Sequence, residues 1–217
     1  MAVGGLVGGL SRGASGSVRV VDPAVAAFVE RLYAEGRAFD AARSDRLERR
    51  RNIEPDSAAL LAVLVRAVRP ARILEIGTSN GYSTIWLADA AADVGAGVTT
   101  VEIDAERSMA ARANLRSAGG PRMSDVVDFV MGDAADQLRA EQGSYDLILL
   151  DAERPEYVSF WPDLLRVLRP AGGLLVVDNV LSHADQVADF RALVEAEPAV
   201  SSTVASVGAG LLLAVRG

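Results

Sequence analysis

Ile73-Leu74-Glu75-Ile76-Gly77-Thr78-Ser79-Asn80-Gly81-Tyr82-Ser83 is the stretch on which the fold turns. Its first residues are a short, mostly apolar strand, Gly77 allows a tight turn, and the helical texture begins at Gly81. A glycine turn between a buried strand and a helix start offers a ligand close backbone approach and the free N–H groups of the first helical turn. Such loops are common and alone say little. Two carboxylates sharpen the signal: Glu75 before the turn, and Glu102 at the end of the next strand, where such folds keep a carboxylate for a ribose diol. Glu75 would repel a diphosphate, so a cofactor without phosphates fits better.

Outward from this stretch, strands are expected at residues 72–76, 98–102, 126–131, 147–151 and 173–178. Helical patterns fill residues 81–92, 105–118, 134–141, 158–168 and 184–197. Leu147-Ile148-Leu149-Leu150 is apolar without alternation, the mark of a parallel strand covered on both faces. Residues 201–207 and 211–215 flank Gly208-Ala209-Gly210 as a hairpin with no helix between its strands. The expected fold is therefore α/β, a doubly wound, mostly parallel, seven-stranded Rossmann-like sheet ending in an antiparallel hairpin. Before it, Pro23 opens a helical pattern, a charged stretch covers residues 37–52, and Pro55 suits the first turn of a helix reaching residue 68. This divides the chain into a glycine-rich arm (1–22), a helical extension (23–70) and a core (71–217).

Of the 217 residues, 22 are basic and 29 acidic, and every basic residue is arginine. Without lysine there is no Schiff-base amine, no GKS/GKT phosphate loop and no Tyr-x-x-x-Lys dyad. Without cysteine there is no thiol nucleophile, disulfide or thiolate metal site. A net charge of −7 argues against nucleic-acid binding. No uninterrupted apolar run approaches the roughly 18–20 residues of a membrane span. Glycines 4, 5, 8 and 9 break any signal-peptide core, which leads to the expectation of a cytoplasmic protein. The run Arg49-Arg50-Arg51, with Arg46 a turn earlier, reads as the solvated end of a helix in preference to a site for phosphate or an acidic partner.

Residues 74–83, Val101-Glu102-Ile103-Asp104, Asp151 through Tyr157, and Val177-Asp178-Asn179-Val180 together resemble the S-adenosylmethionine-dependent O-methyltransferases of the catechol and caffeoyl-CoA type, with their bacterial relatives. The resemblance covers residue 54 to the C-terminus, and it implies a seven-stranded methyltransferase sheet. It further implies that Gly77, Ser79, Gly81 and Ser83 line the methionine and ribose end of the cofactor, with Glu75 near its amino group. Glu102 would take the ribose hydroxyls, Ile103 would lie beside the adenine, and Asp133 and Ala134 would cover the adenine edge. Asp133 also reads as a helix N-cap. The helical extension would cover the site and join a homodimer.

The family's divalent metal, usually magnesium, would fall to Asp151, Asp178 and Asn179. These residues supply hard oxygen donors at the C-terminal ends of buried strands, although Asp-Asn at a strand end is also a common turn. The implied reaction is methyl transfer to a hydroxyl of a small, vicinally hydroxylated aromatic acceptor. One position departs from the pattern: Arg154 stands where the family generally has the lysine taken as general base, and Pro155 follows it. A guanidinium does not give up its proton at working pH, so at this position it stabilises a phenolate or binds an acidic substrate. Deprotonation would then fall to the metal or to another base such as His183, the chain's one histidine, which also reads as a capping residue. The alternatives are a metal-independent methyltransferase in which Arg154 grips an acidic acceptor, and a catalytically weak S-adenosylmethionine-binding protein.

Overall fold

A computed structural model of the chain describes residues 21–217, so the arm expected over residues 1–22 lies almost wholly outside the described residues. β1 (Arg72–Ile76), β2 (Gly97–Glu102), β3 (Val127–Met131), β4 (Leu147–Leu150) and β5 (Gly173–Val177) run parallel. β6 (Val200–Ala205) and β7 (Leu211–Arg216) form the antiparallel end, and the sheet order is β3-β2-β1-β4-β5-β7-β6. The chain leaves β1 toward β2 and β3, then returns to the other side of β1 for β4. That reversal opens a crevice at the carboxyl ends of β1 and β4, where doubly wound sheets take their ligands.

Why β4 shows no alternation is visible in its packing. Leu147 and Leu149 join the core beneath α1 (Pro23–Ala41), α2 (Pro55–Val68) and α3 (Tyr82–Val94). Ile148 and Leu150 join a second core beneath α6 (Tyr157–Val167) and α7 (Ala184–Ala196). Each face of the strand meets its own helical layer, so every position must be apolar. Truncating one of these leucines to alanine costs about 2–5 kcal/mol in such surroundings. Asp89, fully buried on α3, is held by Arg66 of α2 at 2.8 Å and Arg122 at 2.8 Å, which locks the helical extension to the core.

Most boundaries fall within two residues of expectation, and two regions differ by more. α4 (Ala105–Ser124) runs past residue 118, but through a break: Gly120 adopts φ 55° and ψ −147°, and Pro121 begins a further turn. The Gly-Gly-Pro sequence stops one helix and starts the next, as glycine at a C-terminal end and proline in a first turn would. The second difference matters more. α1 begins at Pro23, capped by Asp22, whose carboxylate accepts from the Ala24 N–H, and it takes the first part of the charged stretch. Residues 42–54 then form no helix, so Arg46, Arg49, Arg50 and Arg51 are not a helix end. They belong to an irregular strap across the carboxyl end of the sheet. Among the described residues, no helix is long and apolar enough to cross a membrane.

Candidate active site

A cavity of about 870 Å³ lies at the carboxyl edge of the parallel strands, between the loops after β1, β2 and β4 and the strap. Its floor is set by Gly77, at φ +101°, where a Cβ would stand 2.1 Å from the carbonyl oxygen of Asp151. Only glycine lets the loops after β1 and β4 approach this closely. Gly81, at φ +83°, packs against Ala111 of α4 in the same manner and starts α3.

Glu75 and Glu102 use their carboxylates differently. Glu75 is fully buried beneath the cavity wall; its Oε1 accepts from Ser83 Oγ and its Oε2 from Thr84 and Thr100 hydroxyls, each at 2.6 Å. The single Thr100 proton goes to Glu75, so Thr78, 2.5 Å from Thr100 Oγ1, is the donor in that pair. Burial outweighs the three hydroxyl donors and pushes the Glu75 carboxyl up to about 7. Glu102 reaches the cavity, its Oε2 accepting from the Ser79 N–H at 2.8 Å and its Oε1 from the Asp104 N–H at 3.0 Å. One backbone donor on each oxygen fixes the carboxylate and leaves a lone pair on each for a ligand diol.

Asp151, Asp178 and Asn179 gather at the ends of β4 and β5. Asn179 Nδ2 donates to Asp178 Oδ2 at 2.7 Å, whereas Asp178 Oδ1 is buried with no hydrogen-bond partner. Asn179 sits at φ 63°, a left-handed conformation that asparagine tolerates. Burial raises the pKa of Asp178, and the charge of Asp151 raises it further. Asp151 is raised by burial as well, against the pull of Arg51 and Arg154. Among the described residues no three His, Cys, Asp or Glu side chains cluster as metal ligands, so this set depends on an amide for its third donor. An unpartnered, buried carboxylate oxygen in a mutually repelling pair is nonetheless what a cation would relieve, and the donor set suits magnesium.

The segment after β4 carries the remaining polar groups. Glu153 accepts from Arg46 at 2.9 Å and from Arg51, both on the strap. The strap is also held at Asp40, whose carboxylate oxygens accept from the Arg50 and Arg51 N–H groups at 2.7 and 2.9 Å. Ser79 Oγ donates to the Arg50 carbonyl at 2.9 Å, which joins the strap to the glycine loop. Arg154 begins a short 3₁₀ turn (Arg154–Glu156); its side chain lines the cavity and is buried, with an unpartnered Nε. His183, at the N-cap position of α7 but making no side-chain capping bond, also lines the cavity. Burial holds its pKa low, and the charges of Arg154, Arg46 and Arg51 lower it further.

The structure brings Gly77, Ser79, Ser83, Glu102, Ile103, Asp133, Ala134, Asp151, Arg154 and Asn179 to one cavity. Glu75, Gly81 and Asp178 stand behind its wall and shape it from there. Asp133 caps α5 (Ala134–Ala140), accepting from the Ala135 N–H at 2.8 Å and the Asp136 N–H at 3.2 Å while still facing the cavity. What the sequence reading missed is the strap: Arg46 and Arg51 with their partner Glu153, and the Tyr33–Glu54 hydrogen bond at its far end. The arginine run was the available signal, but nothing local linked it to an acid about a hundred residues away.

Known proteins resemble this arrangement. A model of the O-methyltransferase family matches residues 37–216. The catechol O-methyltransferase of Mycobacterium tuberculosis is 36% identical over 161 residues, which are 74% of this chain and 66% of that protein. The caffeoyl-CoA O-methyltransferase of Stellaria longipes is 32% identical over 133 residues, 58% of this chain and 53% of that one. The chain thus spans about two thirds of the length of the first relative and about half of the second. Among solved structures, the O-methyltransferase from Bacillus cereus in complex with SAH superposes with a TM-score of 0.72 at 27% identity, covering 88% of this chain and 91% of that chain.

Proposed function

This chain belongs to the O-methyltransferase family, and on that premise we propose that it moves the methyl group of S-adenosylmethionine to a hydroxyl of a small aromatic acceptor. The observation that carries the proposal is the meeting, in one cavity, of a backbone-fixed Glu102 carboxylate with the oxygen donors at the ends of β4 and β5. Glu102 takes the ribose diol of the donor on the lone pairs its two N–H partners leave open. Ile103 and the Asp133-Ala134 turn bound the adenine. The loop from Gly77 to Ser83 receives the methionine end, with Glu75 supporting it from below through Ser83.

The acceptor lies between Asp151, Asn179 and Arg154. Asp151, Asp178 and Asn179 would hold a divalent cation, whose chemistry there is to lower the pKa of the bound hydroxyl and fix its oxygen. The chain's own residues do the rest. The loops after β1 and β4, packed together at Gly77, hold donor and acceptor in line, and positioning of this kind supplies much of the gain in methyl transfer. The strap, pinned at Glu153 and Ser79, excludes water. Arg154 presents a positive charge to the acceptor and cannot take its proton.

His183 is the neutral base on the wall. Ser182 Oγ lies 3.2 Å from Asn179 Oδ1 and 2.9 Å from His183 Nδ1. Assigning the one Ser182 proton to Asn179 puts the imidazole proton on Nδ1 and leaves Nε2 able to accept. One observation favours a second reading without metal: Arg51 and Arg154 already set positive charge against Asp151.

The test measures S-adenosylhomocysteine formed from S-adenosylmethionine and a panel of catechols, with magnesium or with EDTA. Turnover abolished by chelation supports the metal-assisted reading. Turnover that survives complete chelation selects the metal-free one. Tight cofactor binding with no turnover on any phenol sinks both and leaves a cofactor-binding protein.

A further inference from the structure

Arg154 is 5% exposed, yet its guanidinium has neither a salt bridge nor a hydrogen bond among the described residues, and its Nε is fully buried without a partner. Of the six other arginines that line the cavity, Arg37 is solvent-exposed and bears no buried charge, and five are occupied. Arg46 and Arg51 hold Glu153, Arg49 binds the Arg43 carbonyl, Arg107 the Leu47 carbonyl, and Arg50 stacks over the Phe39 ring at 4.1 Å. A buried, uncompensated guanidinium is costly, and five N–H donors in a planar fork are most fully satisfied by a carboxylate or similar oxyanion. The nearest acids do not supply it: Asp151 and Asp178 act on Arg154 only through space, and Glu153 is already taken.

From this we infer that the acceptor is a hydroxylated aromatic acid, whose carboxylate docks on Arg154 while its hydroxyls face Asp151 and Asn179. The inference rests on the methyltransferase reading for the hydroxyl end, but the anion site stands on Arg154 itself. A cation at Asp151 and Asp178 would sharpen the preference, because it would neutralise two carboxylates whose charge offsets that of Arg154 through space. The methionine carboxylate of the donor is the competing anion. It is disfavoured because the expected donor end lies along the loop from Gly77 to Ser83, whereas Arg154 lies on the loop after β4.

Calorimetry tests this with S-adenosylhomocysteine and magnesium present, comparing 3,4-dihydroxybenzoate with its methyl ester and with catechol. The acid should bind about tenfold or more tighter than the ester, and Arg154→Met should erase the difference while leaving S-adenosylhomocysteine affinity unchanged. Because the readout is an acid-to-ester ratio of affinities within one preparation, partial misfolding of Arg154→Met would lower the binding stoichiometry of both ligands, and the folded fraction would still report the ratio. Equal binding of acid and ester by the wild type overturns the inference. So does a ratio that survives in Arg154→Met, or a loss of S-adenosylhomocysteine affinity in that variant, which would assign the anion to the donor. Acid preference without any turnover would uphold the anion site and sink the methyl-transfer reading, so the two fail separately.

Discussion

Arg46 and Glu153 stand 107 residues apart in the chain, and the Arg46 Nη2 donates to Glu153 Oε2 at 2.9 Å on the cavity wall. Arg51 shares the same carboxylate, so two side chains of the strap converge on one acid beside Asp151 and Arg154. The pairing does two things at once. It draws an otherwise irregular segment across the site, and it consumes the negative charge of Glu153 that would otherwise neutralise Arg154.

Glu153→Gln should therefore loosen the strap. The pairs are about one-third exposed, so solvent screening limits their combined worth to roughly 1 kcal/mol, a severalfold change in affinity. Hydrogen exchange of residues 42–54 should quicken, and the dissociation constant for S-adenosylhomocysteine should rise severalfold with little change in melting temperature. Unchanged exchange protection in the strap would show that Asp40 and Ser79 hold it without Glu153.

Gly77→Ala should be far more damaging than its size suggests. The new methyl would meet the Asp151 carbonyl at 2.1 Å, on a backbone at φ +101° that side chains avoid. Strain and displacement of the β4 loop together cost about 3 kcal/mol or more. A drop in melting temperature with loss of cofactor binding is expected; a stable variant that binds normally would mean the two loops need not touch.

Glu75 makes stability depend on pH in a definite direction. Burial raises its carboxyl from 4.5 to about 7, so its contribution is fully present below the ordinary carboxylate range and is lost as pH rises through 7. The difference is worth about 3 kcal/mol at most between pH 4.5 and 8. Thermal melts of the ligand-free protein should show this decline, and Glu75→Gln should flatten it relative to wild type. Parallel pH profiles for the two proteins would remove Glu75 as the cause.

How much of this was legible depended on whether the deciding contact was local. The glycine loop, the strand-end acids and the Asp133 cap are each written in a few consecutive residues, and they stand at the strand ends and helix start expected of them. So did the sheet, because β4 must be apolar on both faces. Glu75 was legible as a residue of the motif but not in position: no local pattern announces that Thr84 and Thr100 will join Ser83 in burying it. The strap was misread for a related reason. A run of arginines is indistinguishable from a solvated helix end until its partner, Glu153, arrives from the loop after β4.

Asp178 offers a test of the cation site that does not need turnover. Its raised pKa means that its contribution to stability is present in acid and is lost as pH rises through the raised value. Without metal, Asp178→Asn should melt higher than wild type at pH 9, since it carries no buried charge beside Asp151. Magnesium should raise the wild-type melting temperature by an amount equivalent to about 1.4 kcal/mol at tenfold over its dissociation constant, and should leave the variant unmoved. Equal magnesium shifts in both proteins would place the ion elsewhere.

Arg154→Lys separates the two roles open to the position. A guanidinium cannot accept the acceptor's proton, whereas a lysine amine in a buried site loses its proton more readily than in water. If the reaction is limited by deprotonation, the variant should keep or raise turnover on neutral catechol, and its pH–rate profile should gain an ascending limb below the ordinary lysine range. Its preference for 3,4-dihydroxybenzoate should weaken at the same time, because a point charge replaces the two-pronged fork. A folded variant with normal S-adenosylhomocysteine affinity but no activity on either acceptor would point the other way. The arginine would then be needed to seat the acceptor, and the proton would leave by a path on which residue 154 has no part, with His183 the next residue to replace.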